Sequence, residues 1–186
     1  MAEHKFHQAI GRLISESFSE NDSLTILKDS ACDLDKRPRI PLYRNAAGTR
    51  IRYCDVDILI ATDEEAKVII EIEESNVKPI NILGKFFASV FSSYYQSTKV
   101  DPKPLAKRLL FIQVLDSSKL KEASGKREQW DSIADLIRIN LRSAFLDRKW
   151  EYELFIGRHP DVAPKNKEGH ELVPTIKTFL EQKPRL

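Results

Sequence analysis

The sequence predicts an α/β (α+β) fold, a central mixed β-sheet flanked by helices, and three observations lead to it. β-prone runs alternate with amphipathic helical stretches in the order α-β-β-β-α-β-α-β. Two adjacent runs, Asp55 to Ala61 and Lys67 to Glu74, are joined by the short polar segment Thr62 to Ala66, which reads as a hairpin. Arg108 to Leu115 is a continuous apolar run, the pattern of an inner strand buried on both faces. The 186 residues suit one domain spanning residues 1–186.

Each element has its own warrant. Residues 3–19 repeat apolar side chains at helical spacing through Phe6, Ile10, Leu13, Ile14 and Phe18. His4 and His7 lie three apart on this helix and could touch a common metal. No third ligand stands nearby in sequence, so they read as surface histidines near a helix start. Residues 24–28 form a short first strand, Ala31 to Pro41 a loop, and Asn45 to Thr49 a turn. After the hairpin, Asn81 is a suitable N-cap for a helix running to about Gln96. Its stripe of Ile82, Leu83, Phe86, Phe87, Val90, Phe91 and Tyr94 reads as core, with Lys85 and Ser89 on the polar side. A further helix spans about Arg127 to Leu146, burying Trp130, Ile133, Ala134, Ile137, Leu141 and Phe145. Trp150 to Gly157 reads as a last strand, and Thr175 to Glu181 as a short helix.

Register decides what the hairpin presents. With Glu64 at the middle of its loop, positions summing to 128 face each other, which sets Asp57 opposite Glu71 and Asp55 opposite Glu73. Val56, Ile58, Ile60, Val68, Ile70 and Ile72 then make a wholly apolar face. The other face carries four carboxylates at one end and Leu59, Ala61 and Ile69 towards the turn. A one-residue slip would pair acids with apolar side chains. Facing carboxylates repel one another, and burial makes their ionisation costlier. A hard divalent cation with oxygen ligands would offset this, as would neighbouring Lys and Arg on a solvated acidic face.

Composition bounds the classes. The chain is 41% hydrophobic and 31% charged with net charge +2, which gives no global polyanion-binding signal. The local pattern says more: Asp55 to Glu74 holds eight acids and one lysine. Lys36, Arg37, Arg39, Arg44, Arg50 and Arg52 precede it, and Lys99, Lys103, Lys107, Arg108, Lys119, Lys121, Lys126 and Arg127 follow. An acidic centre in a basic frame suits metal-dependent cleavage of a phosphate backbone. Cys32 and Cys54 form neither a disulfide framework nor a zinc pattern. The polar N-terminus and the lack of a membrane-spanning apolar run lead to the expectation of a cytoplasmic protein with no membrane partner.

Asp57-Ile-Leu-Ile followed by Val68-Ile-Ile-Glu71-Ile-Glu73 resembles the core motif of the PD-(D/E)xK nuclease superfamily, the restriction-endonuclease-like fold. The order of elements resembles that core too, over about residues 3–116, with residues 117–186 as a C-terminal extension. The resemblance implies Asp57, Glu71 and the backbone carbonyl of Ile72 as ligands of Mg2+, with Mn2+ as a substitute. The motif's proline is Val56 here, and its lysine is Glu73. That matches the Glu-x-Glu variant, in which the last acid acts as metal ligand or general base. Lys85 on the following helix is a second candidate for the missing lysine. The resemblance also gives Glu16 or Glu20 of the first helix a place near the site.

The expected function is therefore Mg2+-dependent hydrolysis of phosphodiester bonds in double-stranded DNA by an endonuclease, with Asp57, Glu71, Glu73 and Lys85 as catalytic residues. A homodimer would supply the two sites that cutting both strands requires. The alternative is a catalytically inactive nuclease-like module that binds nucleic acid or a protein partner.

Overall fold

A computed structural model describes residues 4–33, 39–47, 51–74, 78–96, 101–120, 125–144, 148–158 and 163–182, with no account of the side chains of 141–144. The elements are α1 (Lys5–Ser17), β1 (Thr25–Lys28), β2 (Ile40–Tyr43), β3 (Arg52–Val56), β4 (Ile58–Ala61), β5 (Ala66–Glu73), α2 (Pro79–Val90), β6 (Tyr94–Tyr95), β7 (Lys103–Asp116), α3 (Lys126–Ala144), β8 (Lys149–Gly157) and α4 (Leu172–Glu181). The architecture is α/β, with an open, mixed eight-stranded sheet.

β7 organises the sheet. It pairs in parallel with β5 on one side and β8 on the other, while its first residues pair antiparallel with β6. Antiparallel partners extend the sheet through β4 and β1 beyond β5, and through β2 and β3 beyond β6. Residues 105, 106, 109–112, 114 and 115 of β7 are buried, as its apolar run requires.

Helices cover both faces. α1 and α4 contribute Phe6, Ile10, Ile14, Leu172, Ile176 and Phe179 to one core, with Ile58, Ile60, Val68, Ile70 and Ile72 from the sheet. α2 and α3 contribute Ile82, Phe86, Val90, Trp130, Ala134 and Ile137 to the other, with Leu59, Ala61 and Ile69. The β4–β5 register is the expected one: Ile58 faces Ile70, Leu59 faces Ile69 and Ile60 faces Val68, before a bulge pairs Ala61 with Ala66.

Several expectations are corrected. The run from Asp55 to Ala61 is two strands, because the chain bends at Asp57 between β3 and β4. β3 leaves to pair with β2, so Asp55 faces Pro41 and not Glu73, and Val56 joins the α2–α3 core. α2 begins at Pro79, with Lys78 as its N-cap; Asn81 lies inside the helix. Proline is favoured in the first helical turn, where its missing N–H costs nothing. α2 ends at Val90, and Tyr94–Tyr95 pair with β2 and β7 as a strand. Phe87 and Phe91 stand 38% and 48% exposed with their rings stacked, outside the core assigned to them. The first loop is shorter than expected, since β2 starts at Ile40 and includes Pro41. Phe145 and the side chain of Leu141 lie outside the described residues.

Candidate functional site

The acids meet where β4 starts and β5 ends. Asp57 occupies the bend before β4, and the Ile72 N–H donates to its Oδ2 at 2.6 Å. β4 pairs with β5 only as far as Ile70, so the β5 backbone beyond it is open on that side, and the Asp57 carboxylate takes the vacant ladder position. The N–H and C=O of one residue point to the same side of a strand. The Ile72 carbonyl therefore faces the Asp57 side. Glu71 and Glu73 alternate with Ile72 and project towards α2, while the Ile72 side chain is buried on the opposite face.

Lys85 of α2 closes the group. Its Nζ lies 2.8 Å from Glu71 Oε2, 3.0 Å from Glu73 Oε1 and 3.7 Å from Asp57 Oδ2. Its helix places it between Ile82 and Phe86, which are buried in the core beneath. The supposed polar side of α2 thus faces protein: Ser89 is fully buried, with its Oγ 3.8 Å from Cys54 Sγ.

Electrostatics follow from burial. Glu71 is completely buried, and this desolvation, aided by the charge of Asp57 and opposed by Lys85, holds its carboxyl well above the ordinary range. Burial pulls the Lys85 ammonium down, but Glu71, Asp57 and Glu73 together hold it well above its ordinary value. The lysine stays charged, and its single charge is shared among three carboxyl groups. Glu71 Oε1 is buried without a hydrogen bond.

Four residues that the sequence reading did not assign to this site complete it. Gln113 of β7 sits beside Glu71 in the parallel register. It accepts from the Tyr152 hydroxyl at 2.6 Å and donates to the Ile82 carbonyl at 3.2 Å, which ties β7, β8 and α2 together behind Glu71. Its signal was a lone amide in an apolar run. The Asp29 N–H donates to the Asp57 carbonyl at 2.8 Å, fixing the bend, and its carboxyl is raised by burial and then by Asp57. His7 is buried, contrary to the surface reading, with Nε2 3.8 Å from Asp57 Oδ2 and Nδ1 3.0 Å from Glu74 Oε1. Glu74 is the third group near His4 and His7, and it comes from a strand end 67 residues from His7.

Other expected residues are elsewhere. Glu16 and Glu20 are exposed. Glu16 lies about 13 Å along the helix axis from His7, the residue of α1 that does reach the site. Asp55 turns away to Arg52 and to Arg39, the latter at 3.7 Å. Asp63, Glu64 and Glu65 occupy the hairpin loop, about 20 Å along the strand from Glu71. Lys103 donates to the Asp63 carbonyl at that far end, and Arg108 pairs with Glu151 at 2.7 Å and covers the Phe179 ring. The expected single acidic centre is thus two clusters, and part of its basic frame belongs to the far one. Lys36, Arg37, Arg50, Lys99 and Lys121 lie outside the described residues. Among the described residues no helix is long and apolar enough to cross a membrane.

Comparison with protein-family models, with curated proteins and with solved structures finds no match.

Proposed function

We propose that the chain is a divalent-metal-dependent phosphodiesterase acting on DNA, an endonuclease of the restriction-endonuclease-like type. One observation carries the reading: Asp57, Glu71 and Glu73 converge on a single lysine, Lys85, within 3.7 Å. The donor set fits Mg2+ or Mn2+. Three carboxylates and the Ile72 carbonyl are hard oxygen donors, and Glu71 Oε1 is buried without a partner.

Asp57, Glu71 and the Ile72 carbonyl hold the cation in this reading, with Glu73 beside them. Bound there, the cation would acidify a water and offset charge at phosphorus. The Ile72 N–H fixes the rotamer of Asp57, and the Gln113 network backs the strand that carries Glu71. Glu73, whose side chain is 13% exposed, accepts the proton of the attacking water. Lys85 turns its ammonium to a non-bridging phosphate oxygen, the role left open by the glutamate in the motif's lysine position.

A second reading is a non-catalytic module that binds DNA or a protein partner. It is favoured by the commitment of Lys103 and Arg108 to groups at the end of the sheet away from Asp57, Glu71 and Glu73.

Nicking of supercoiled plasmid in Mg2+ or Mn2+ tests the first reading, with Asp57→Ala and Glu71→Ala alongside and size-exclusion chromatography to detect a homodimer. Wild type is expected to nick and the variants to lose activity. If all three behave alike, the catalytic reading is wrong. DNA binding by a wild-type protein that takes up no cation in calorimetry and cuts nothing establishes the second.

A further inference from the structure

We infer that His4, His7 and Glu74 form a separate site for a transition-metal ion of the zinc class. It is distinct from the all-oxygen group around Lys85, and it stands whether or not the chain is a nuclease. One ligand atom from each of the three side chains lies within 4.8 Å of the others. The helical spacing of His4 and His7 puts both imidazoles on one face of the first turn of α1. Their ring planes cross at 73°, edge to face rather than stacked.

Glu74 is already oriented. The His7 backbone N–H donates to its Oε1 at 2.8 Å, so the carboxylate caps the open end of α1 from the end of β5. Burial opposes its ionisation, but the bond from the His7 backbone N–H and the neighbouring imidazoles hold its carboxyl below the ordinary range. The nitrogen-to-oxygen separations are 3.0 Å from His7 Nδ1 and 3.6 Å from His4 Nδ1. The first runs to Oε1 and the second to Oε2, each near the edge of about 3.3 Å expected between ligands of tetrahedral zinc with bonds of about 2.0–2.1 Å.

An independent observation points to a ligand. The His7 side chain is 10% exposed, and its Nδ1 is buried without a hydrogen bond although it faces Glu74. A buried ring nitrogen set against a carboxylate at 3.0 Å without a hydrogen bond would be satisfied by a cation held between the two. Its other nitrogen faces Asp57 Oδ2 at 3.8 Å, the side on which metal-bound histidines commonly carry an outer carboxylate. His4 has its side chain half exposed, which leaves a path for entry and a fourth position for water. Two imidazoles and one carboxylate select Zn2+, Co2+ or Ni2+ over Mg2+, which prefers oxygen. The ion would clamp the start of α1 to the end of β5.

The test uses the full chain stripped with EDTA and dialysed, then titrated with Zn2+ in a calorimeter and with Co2+ by visible absorption. Wild type is expected to take up one equivalent and to give the intense d–d bands of tetrahedral Co2+. His4→Ala and Glu74→Gln should weaken Zn2+ binding by more than the roughly 10–100-fold typical of losing an outer-shell partner. Glu71→Gln and Glu73→Gln should leave it within about threefold. Thermal melts in EDTA show that each variant is folded before titration. No uptake by wild type, or equal binding by wild type and His4→Ala, overturns the assignment. So does uptake lost in Glu71→Gln and Glu73→Gln, which would put the ion among the other carboxylates.

Discussion

The ammonium of Lys85, on α2, lies 2.8 Å from Oε2 of Glu71, a strand side chain with no solvent exposure. Breaking a buried pair by removing one partner costs about 3–5 kcal/mol, because the other charge stays uncompensated. Lys85 is a third exposed, so water recovers part of this. Lys85→Met is therefore expected to destabilise the fold by about 2–3 kcal/mol in urea titrations in EDTA. Lys85→Met with Glu71→Gln should recover part of the loss, since the double variant removes the fully buried partner and leaves only Glu73 and Asp57, both slightly exposed, facing the lost ammonium. Additive single effects would show that the contact carries no coupling.

Glu71 also sets a pH dependence. Its carboxyl is raised above the ordinary value of 4.5, by burial first and by Asp57 second. The folded state thus keeps a proton that the unfolded chain loses above about pH 4.3. Stability falls with rising pH wherever the folded state binds more protons. In EDTA, the stability of wild type relative to Glu71→Gln should decline from about pH 4.5 towards the raised folded value. Mg2+ should suppress the decline in wild type by favouring the carboxylate. A difference that stays flat with pH in EDTA would contradict the burial argument.

The hairpin register was legible because Ile, Val and Leu alternate with acids, and a strand's period of two admits few alignments. The bend at Asp57 was not. No glycine or proline marks it, and it is set by bonds from Ile72 and Asp29, both distant in sequence. Without that bend Asp55 would extend the acid row; with it, Arg52 and Arg39 take Asp55 instead. The approach of Lys85 was visible as a possibility, since α2 follows β5 directly. The His7–Glu74 contact was not, because it joins the two ends of a long segment through tertiary packing alone. The end of α2 was misplaced because Phe91 and Tyr94 continue a helical spacing that the chain leaves to form β6.

The two cysteines should be inert in the folded protein. Burial first, and the charge of Glu71 second, push the Cys54 thiol up to about 12. Cys32 is raised by burial and then by Asp57. Only the thiolate attacks a disulfide reagent, and at pH 8 about one Cys54 in ten thousand would be ionised. A colorimetric thiol assay at pH 8 should find no rapid reaction in native protein and two equivalents in denaturant. One fast equivalent without denaturant would show that a cysteine has an open path to solvent.

Two helical glycines should respond to alanine with opposite signs. In a helix interior Ala is better than Gly by about 0.8–1 kcal/mol, so the backbone term favours both substitutions. At Gly84, on α2, a Cβ meets nothing within 4 Å, and only that gain remains. At Gly11, on α1, a Cβ would lie 2.4 Å from the carbonyl oxygen of Cys32, a backbone atom that no rotamer change can move. The turn carrying Cys32 is itself fixed, since Asp29 Oδ1 accepts from the N–H groups of Ala31 and Cys32 while the Asp29 N–H holds the Asp57 carbonyl. Relief of the clash must shift either α1 or that turn, and the turn leads to the bend that aims Asp57. Overpacking of this kind costs about 1–3 kcal/mol, which exceeds the helical gain. For a chain of this size about 1 kcal/mol moves the midpoint by about 2–4 °C. Gly84→Ala should therefore melt a few degrees above wild type, and Gly11→Ala should melt below it. A rise in both would mean that α1 packs less closely on the Cys32 turn than the 2.4 Å approach requires.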